Sequence, residues 1–394
     1  MESNEKETSE QPIEKYKKLS LREFSGSFGD WGVLIPFVIG YIAIVGLNPA
    51  GIFICLGITN IILGIKYNLP LPVQPQKTIG TVAISQKWSP NLVISTGFGT
   101  GIIWAILGFS KKLNKIVEKV PVVAVRGIQL GLALILGWAA IIMINDNLIL
   151  GFICISIILL SIKIKKVPSA IILMFIGIFI LFYTGIVYIS DITVNLPQFE
   201  LQVPTLDNIL IGMLIAGIAQ LFLTLTNVMI ATIALVKDLF PEKENLIDAN
   251  SLALNMGIMN LINPFIGGMP LCHGSGGLVA QYAFGARTGG SMIFEGILEI
   301  ILGLFFTELL FLLFNQFPKA ILGAMLIYVA LLLGKVAFKD FNLKAIPIIL
   351  ISAIICFVLN IGLGFLIGLI LYFIFRKKIE EYKNEKDGSE DLNN

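Results

Sequence analysis

Apolar stretches recur along the chain from about Phe28 to Phe375, separated by short polar or Gly/Pro-rich breaks. Many of them reach the length of about twenty residues that a helix needs to cross a bilayer. The pattern predicts an all-α integral membrane fold with fourteen membrane segments. The first seven are expected at about 29–47, 50–66, 70–86, 91–109, 122–143, 148–162 and 168–188, and the second seven at about 208–236, 249–267, 270–283, 288–314, 317–334, 343–358 and 360–375.

The third and tenth segments are short and broken by proline and glycine. They contain LPLPVQPQK at 69–77 and MPLCHGSGG at 269–277, which lie 200 residues apart. The residues that lead to them also match, since six of the fifteen positions in 57–71 and 257–271 are identical. The matching pairs include Gly57 and Gly257, Asn60 and Asn260, and Pro70 and Pro270. Interrupted segments at corresponding places in two halves indicate the binding site of a secondary transporter; simple kinks in a helix bundle are the alternative.

The distribution of charge predicts the orientation of the segments. Lysine and arginine are concentrated in loops that follow even-numbered segments, with Lys87 and Lys319 as exceptions. If the basic N-terminus is cytoplasmic, the positive-inside rule predicts a multi-pass protein of the cell membrane with both termini in the cytoplasm. Seven segments are an odd number, so the second repeat would be inverted relative to the first. The expected parts are a cytoplasmic tail at 1–27, a first repeat at 28–190, an extracellular connection at 191–207, a second repeat at 208–375, and a cytoplasmic, disordered tail at 376–394.

Composition narrows the class of protein further. Hydrophobic residues make up 56% of the chain and charged residues 14%, whereas about a quarter of the residues in an ordinary soluble domain are charged. The sequence contains no GxxxxGK[ST] phosphate loop and no HExxH or GxSxG motif. We therefore expect neither an enzyme nor an ATP-driven pump, and no cofactor, metal site or nucleic-acid partner.

The two breaks carry the candidate substrate site. A broken membrane helix exposes backbone N–H groups at its new N-terminus, and that end attracts anions. In an inverted repeat, two such ends face each other near the centre of the membrane. Glycines let the backbone approach a ligand, and polar side chains add donors. The candidate binding residues are Gln74, Lys77, His273, Gly274, Ser275, Gly276 and Gly277.

Lys77 and His273 have the clearest chemical signals in these breaks. A lysine at membrane depth is costly and marks a functional site or an ion pair, although a lysine near a helix end can instead reach the interface. His273 is the only histidine in the chain. It could bind an anion or carry protons, because histidine titrates near neutral pH, or it could cap or pack a helix.

Further polar residues are candidates for coupling or for lining a cavity. Asp30 could carry a proton, pair with Lys77, or lie at the start of the first membrane helix. Gln220, Thr224 and Asn227 are spaced at i, i+4 and i+7, so they share one helical face that lines a cavity or joins neighbouring helices.

The eleventh segment contains three glutamates, Glu295, Glu299 and Glu308. Glu295 and Glu299 are one helical turn apart. They could pair with lysines, line a proton path, or lie toward the membrane edge.

Three motifs carry a resemblance to a known family. GDWGVLIP from Gly29, LPVQPQKTIGTVAIS from Leu71 and GGMPLCHGSGGLVAQYAFGARTGG from Gly267 resemble motifs of the molybdate transporter family of the sulfate-permease superfamily. That family typically reads GDLGTxIP, then PVQPMK, then MPxCHGxGGLA followed by QYxFGxR. Motifs of both halves occur in order, so the resemblance spans the whole chain.

The resemblance implies a seven-plus-seven inverted repeat in which a core domain moves against a gate domain. Segments one to four and eight to eleven would form the core, and an oxyanion would bind between the third and tenth segments. The matching positions are Gln74, Lys77, His273, Gly274, Gly276 and Gly277. Members of this branch lack the cytoplasmic STAS domain, and homodimers are common in the superfamily.

The chain departs from the family pattern at several positions. Trp31 and Val33 replace the usual Leu and Thr, Gln76 replaces Met, and Val279 and Ala280 replace Ala-Gly. Val33 lacks the hydroxyl that threonine has at this position. If that hydroxyl contacts the anion in relatives, the anion selectivity of this chain would differ.

These observations predict a secondary active transporter that imports a tetrahedral oxyanion, most readily molybdate, by cation-coupled alternating access in a lipid bilayer. Moving a dianion inward against the membrane potential costs about 2.3 kcal/mol per charge per 100 mV, so H⁺ or Na⁺ is the expected coupling ion. The alternatives are a sulfate or general oxyanion permease, a nucleobase permease and a passive anion channel.

Overall fold

The computed structural model describes residues 19–113, 121–164, 169–197, 201–338 and 343–390. Most of the expected N-terminal tail lies outside this part of the chain, and so do the loop lysines Lys115, Lys119 and Lys339.

Helices make up most of the described chain. They are α1 (Leu21–Gly26), α2 (Trp31–Gly40, continued by a π turn at Tyr41–Val45), α3 (Pro49–Tyr67), α4 (Lys77–Gln86), α5 (Pro90–Ser110), α6 (Val122–Ile144), α7 (Leu148–Ile164), α8 (Ser169–Tyr183), α9 (Leu206–Leu239, with π turns at Met213–Gly217 and Thr224–Ile230), α10 (Ala249–Ile262), α11 (Ser275–Ala283), α12 (Gly290–Phe305), α13 (Thr307–Asn315), α14 (Lys319–Ala337), α15 (Ile346–Val358) and α16 (Ile361–Glu390). The expectation of a purely α-helical chain is wrong in one respect, because the two breaks form short strands, β1 (Val73–Pro75) and β2 (Leu271–His273).

Many of the helices have the length and composition of membrane spans. Five described helices, α3, α5, α6, α9 and α14, are long and apolar enough to cross a bilayer, and α12 with α13 makes a sixth if the bent pair is one span. Shorter apolar helices include α2, α7, α8 and α15. Large apolar side chains such as Ile149, Phe152 and Phe175 are exposed on them, as suits contact with lipid. The chain is a multi-pass helical membrane protein; the count of fourteen crossings stays a prediction.

Two expected segments, the eleventh and the fourteenth, differ in the structure from their predicted extent. The eleventh is bent by 89° between α12 and α13, where Thr307 Oγ1 donates to Gly303 O (2.6 Å) in a bond that often bends helices. Glu308 therefore lies beyond the bend and not on the helix of Glu295 and Glu299. The predicted disorder after residue 375 is wrong as far as Glu390, because α16 continues through a Lys/Glu-rich stretch of good helix formers.

The helices pack in two groups. In one group α3 packs on α12, and α5 packs on α9 and α10; in the other, α14, α15 and α16 pack around α6, and α14 also packs on α7. The two strands contact α3, α10 and α2, so both interrupted segments belong to the first group.

The glycines of the repeated stretch lie where helices come closest. A Cβ on Gly57 of α3 would lie 2.5 Å from the carbonyl oxygen of Gly296 in α12, and one on Gly257 of α10 would lie 2.6 Å from the amide nitrogen of Ala105 in α5. Only glycine permits these backbone approaches. The matching positions therefore make equivalent contacts in the two halves.

Candidate functional site

The two strands pair in the middle of the first helix group and orient two short helices. β1 and β2 are antiparallel, with Gln74 opposite Cys272. Two further backbone bonds extend the pairing. Gln76 N–H donates to Pro270 O (2.9 Å) at one end, and Gly274 N–H donates to Pro72 O (3.2 Å) at the other. α4 follows β1 directly and α11 follows β2, so antiparallel strands send the two helices in opposite directions. Their N-termini, each with about half a positive charge, flank the strand pair.

The repeated asparagines fix the strands in place. Asn60 Oδ1 accepts a hydrogen bond from Val73 N–H (3.0 Å), and Asn260 Oδ1 accepts one from Leu271 N–H (2.8 Å). Asn260 Nδ2 also donates to Leu271 O (2.6 Å). A short strand inside a membrane domain needs such partners because hydrocarbon offers none. This requirement gives a physical reason for asparagine at both matching positions.

Gln74 and Cys272 lie on the same face of the strand pair, because directly opposed residues point to one side. Gln74 is only 1% exposed, yet within the described chain neither its Oε1 nor its Nε2 has a hydrogen-bond partner. Lys77 and Tyr41 lie near Cys272. This face is therefore directed at α2 and at the first turn of α4.

Lys77 is the first residue of α4 and is half-buried beside the strand pair. It forms no ion pair with a described acidic residue, and the hypothesis that it pairs with Asp30 is wrong. The Asp30 carboxyl accepts its hydrogen bond from Gln281 instead (3.2 Å). Lys77 thus adds a cationic group next to the positive end of α4.

The first turn of α11 supplies the glycines. A Cβ on Gly277 would lie 2.9 Å from Gln74 Nε2, and one on Gly274 would overlap the same side chain. Gly276 has nothing within 4 Å of a Cβ and is exposed. Ser275 is the first residue of the helix, and the preceding Gly274 provides no side-chain cap. Gly274 and Gly277 thus accommodate Gln74, and Gly276 borders open space at the helix end.

Comparison with known proteins decides the family. The sequence model described as "Molybdate transporter of MFS superfamily" matches residues 22–136 and 212–333, which is more than half of the chain. The chain belongs to the molybdate transporter family. Molybdate transporters 2 and 1 of Arabidopsis thaliana are each 30% identical to it over 90% of this chain, and the matches cover 87% and 88% of those relatives. Molybdate transporter 1 of Chlamydomonas reinhardtii is 25% identical over 92% of this chain and 93% of its own length.

Solved structures show the fold. The transmembrane domain of a cyanobacterial bicarbonate transporter, BicA, matches with a TM-score of 0.66 at 14% identity, over 88% of this chain and 97% of that domain. The murine anion transporter Slc26a9 in its inward-facing state matches with a TM-score of 0.67 at 13% identity, over 92% of this chain and 69% of that one. The chain therefore has the helical membrane fold of these structures, while the seven-plus-seven repeat stays a prediction. As a member of the molybdate transporter family it is a transporter, as predicted, and not an enzyme.

In this member of the molybdate transporter family, His273 lies on the face of β2 opposite to Cys272. The imidazole is fully buried, and its Nε2 is 3.5 Å from Asn255 Nδ2, which donates to the Tyr67 hydroxyl (2.7 Å). Its Nδ1 has no partner in the described chain. This environment matches the packing alternative for His273; substrate contact by His273 stays a prediction.

The polar stripe on α9 reaches the site from the side. Gln220 Oε1 accepts a hydrogen bond from Thr78 N–H (2.7 Å) in the first turn of α4, and its Nε2 donates to Thr224 Oγ1 (2.8 Å). Gln220 and Thr224 therefore share a face, as their spacing predicts, and join α9 to α4. The side chain of Asn227 lies outside the described part of the chain.

Asp30 is at the start of α2 but does not cap it. Its carboxyl is turned toward α11 and α12, where Gln281 Nε2 also donates to Glu295 Oε2 (2.8 Å). Trp31 Nε1 donates to Glu295 Oε1 (3.1 Å). Asp30, Glu295 and Glu299 are all at most 1% exposed, so the three carboxyls are buried within the protein; their depth in the membrane stays a prediction.

Sequence reasoning missed three side chains near the site. Cys272 shares the face of Gln74, and the strand register that shows this is not visible in the sequence. Gln281 bridges two carboxyls, although its place in the QYAFGAR motif gave a signal. Gln76 is fully buried and donates to Thr100 Oγ1 (3.0 Å) and Leu271 O (3.1 Å), so this departure from the family pattern joins the strands to α5. Among the described residues, no group of three His, Cys, Asp or Glu side chains could hold a metal ion.

Proposed function

We propose that this transporter imports molybdate, bound as a tetrahedral dianion between the N-termini of α4 and α11. The observation that carries the proposal is the pair of opposed helix ends beside Lys77, which has no acidic partner in the described chain. With an ammonium at Lys77, these ends bring the local charge to about +2. That charge matches a dianion such as molybdate. The names of the relatives support the choice of molybdate.

The proposed contacts follow from the site geometry. Gln74 has two unpartnered polar atoms on the face next to Lys77, and the amide can donate to an anion through Nε2. Ser275 and Gly276 at the start of α11 would contribute backbone N–H groups, while Gly274 and Gly277 keep the backbone close. We assign His273 a supporting role behind β2, together with Asn255.

The proposed transport cycle is alternating access by a core domain against a gate domain in a seven-plus-seven inverted repeat. The two helix groups support this division, and the equivalent contacts of Gly57 and Gly257 support the repeat. At 100 mV, inside negative, a dianion requires about 4.6 kcal/mol for entry, so uptake needs a coupled cation, H⁺ or Na⁺. We further propose a place in the cell membrane with both termini in the cytoplasm; a homodimer is the expected assembly.

Uptake of labelled molybdate into proteoliposomes, with sulfate as competitor, tests the proposal. We expect saturable uptake that a large excess of sulfate does not suppress. Suppression by modest sulfate would instead assign a general oxyanion permease with the same site. Flux that neither saturates nor concentrates the anion would indicate a passive channel, and lack of any molybdate flux would contradict the assignment.

A further inference from the structure

Three buried carboxyls lie between α2, α3, α11 and α12, next to the strand pair. Asp30 is at the start of α2, and Glu295 and Glu299 are one turn apart on α12. Their exposed fractions are 1%, 1% and 0%. Asp30 and Glu295 accept hydrogen bonds from the same nitrogen, Gln281 Nε2, so their carboxyls lie side by side. We call these three residues the carboxyl cluster.

Neutral donors surround the carboxyl cluster. Gln281 is oriented by Ser291, whose hydroxyl donates to its Oε1 (2.8 Å). Its Nε2 is therefore directed at the acids and donates to Asp30 Oδ1 (3.2 Å) and Glu295 Oε2 (2.8 Å). Asn60 Nδ2 donates to Glu299 Oε2 (2.9 Å).

The charges of the cluster are not balanced by protein cations. Apart from one another, the three carboxyls are next to neutral side chains: Gln281, Trp31 and Asn60 donate to them, and Gln74 lies near Asp30. No lysine or arginine of the described chain pairs with them. Three ionised carboxylates this close, away from water, would repel one another strongly. At least one proton must therefore be held among them.

Two oxygens of the cluster have no donor. Asp30 Oδ2 and Glu299 Oε1 are fully buried and lack a hydrogen-bond partner in the described chain. Burying such an oxygen as an anion is expensive, whereas a carboxylic acid carries its own hydrogen. A proton can be added at either of these oxygens without the loss of an existing hydrogen bond.

The cluster is joined directly to the substrate face. Gln74 Nε2 and Asp30 Cβ both lie within 3.2 Å of the point that a Cβ on Gly277 would occupy, so the Gln74 amide and Asp30 are neighbours beside Gly277. Asn60 makes a second link, because it donates to Glu299 Oε2 and accepts from Val73 N–H of β1. A change of charge in the cluster therefore acts on both the Gln74 side chain and the strand.

We propose that Asp30 and Glu295, bridged by Gln281 and assisted by Glu299, form the proton-binding site that couples H⁺ to anion transport. This inference rests on the proposed import of an oxyanion. A dianion beside Gln74 favours a protonated cluster, and a protonated cluster favours the dianion, since linkage makes the effect reciprocal. The core then carries proton and anion together, and the carboxyl releases its proton after the anion leaves.

Two assays with the reconstituted full chain separate coupling from substrate binding. In counterflow of labelled molybdate at equal pH on both sides, Asp30→Asn and Glu295→Gln should exchange the anion as the wild type does. With an acidic outer pH, the wild type should accumulate molybdate. The accumulation by each variant should be lower by a factor of about ten or more, which is within the range of coupling factors seen between linked binding sites. Glu308→Gln is the matched control: this glutamate is exposed, and its carboxylate accepts from Thr193 and Asn195, so the variant should accumulate normally.

Accumulation by Asp30→Asn and Glu295→Gln at the wild-type level would overturn the proton site. Absence of counterflow in the wild type would instead contradict the proposed substrate.

A second readout needs no transport and decides the case in which a variant fails to fold. Trp31 donates to Glu295 (3.1 Å), so its fluorescence, taken as the difference from Trp31→Phe, should change with pH as this carboxyl gains or loses its proton. A flat Trp31 signal in folded wild-type protein would also overturn the inference.

Discussion

Two buried glutamines on either side of Pro75 should respond in opposite ways to the same substitution. Gln76→Leu removes hydrogen bonds from Nε2 to Thr100 Oγ1 and Leu271 O. Each such bond contributes about 0.5–1.5 kcal/mol, so the free energy of unfolding should fall by about 1–3 kcal/mol. Gln74→Leu removes an amide with no partner in the described chain. An unpaired buried amide costs about 1–3 kcal/mol, so this variant should be as stable as the wild type or more stable.

Function should show the reverse order. Without Gln74 the proposed site loses a donor to the anion, so Gln74→Leu should bind molybdate weakly although it is stable. Gln76 points away toward α5, and Gln76→Leu should retain binding wherever it remains folded.

Unfolding of each purified variant in detergent, with and without molybdate, measures both effects. A ligand at 100 times its Kd stabilises the folded state by about 2.7 kcal/mol. That increment should persist in Gln76→Leu and shrink in Gln74→Leu. If Gln74→Leu destabilises the protein as much as Gln76→Leu does and still keeps the full increment, Gln74 is a structural residue and not an anion ligand.

Two other substitutions test the site and its support. Lys77→Ala should weaken molybdate binding about tenfold or more, or about 1.4 kcal/mol, in a binding assay. Lys87→Ala is the control: it changes an exposed lysine at the other end of α4 and should leave the affinity unchanged. Equal affinities of Lys77→Ala and the wild type would place the anion elsewhere. Glu23→Ala should lower the thermal stability by the equivalent of about 2 kcal/mol or more. The Glu23 carboxylate accepts bonds (2.9–3.2 Å) from the backbone N–H groups of Arg287, Thr288 and Ser291, at the start of α12 and just before it. The exposed Glu244→Ala is its control, and equal melting temperatures would show that the contact has no net value.

The positions of the helices could be predicted because membrane helices are long, apolar and separated by charged loops. The matched stretches at 57–71 and 257–271 also predicted where the chain is interrupted. The structure explains the matches by Asn60 and Asn260, which hold the strands, and by glycines at close helix contacts. Repeated asparagines and glycines, like the length of apolar segments, can be recognised in a single sequence.

The faces of the strands could not be predicted in the same way. Adjacent residues of a strand point to opposite sides, so a shift of one residue decides whether Cys272 or His273 shares the face of Gln74. That register depends on pairing between segments 200 residues apart. The bend after Phe305 was also missed, since it falls within an apolar run and the bond from Thr307 to Gly303 at the bend has no clear sequence signal.

The two halves share a scaffold but differ in chemistry. Asn60 and Asn260 accept the same kind of bond from a strand N–H, yet Asn60 Nδ2 donates to Glu299, whereas Asn260 Nδ2 donates to carbonyls of Met256 and Leu271. Only the asparagine of the first half therefore links its strand to a group that can gain or lose a proton. A symmetric pair of helix ends suits a tetrahedral anion, and the proposed proton coupling adds a titratable group that only one of the two asparagines contacts. The carboxyls beside α2, α11 and α12 are the proposed coupling groups, and Trp31, at a position where the family usually has leucine, adds a donor to Glu295 that leucine lacks.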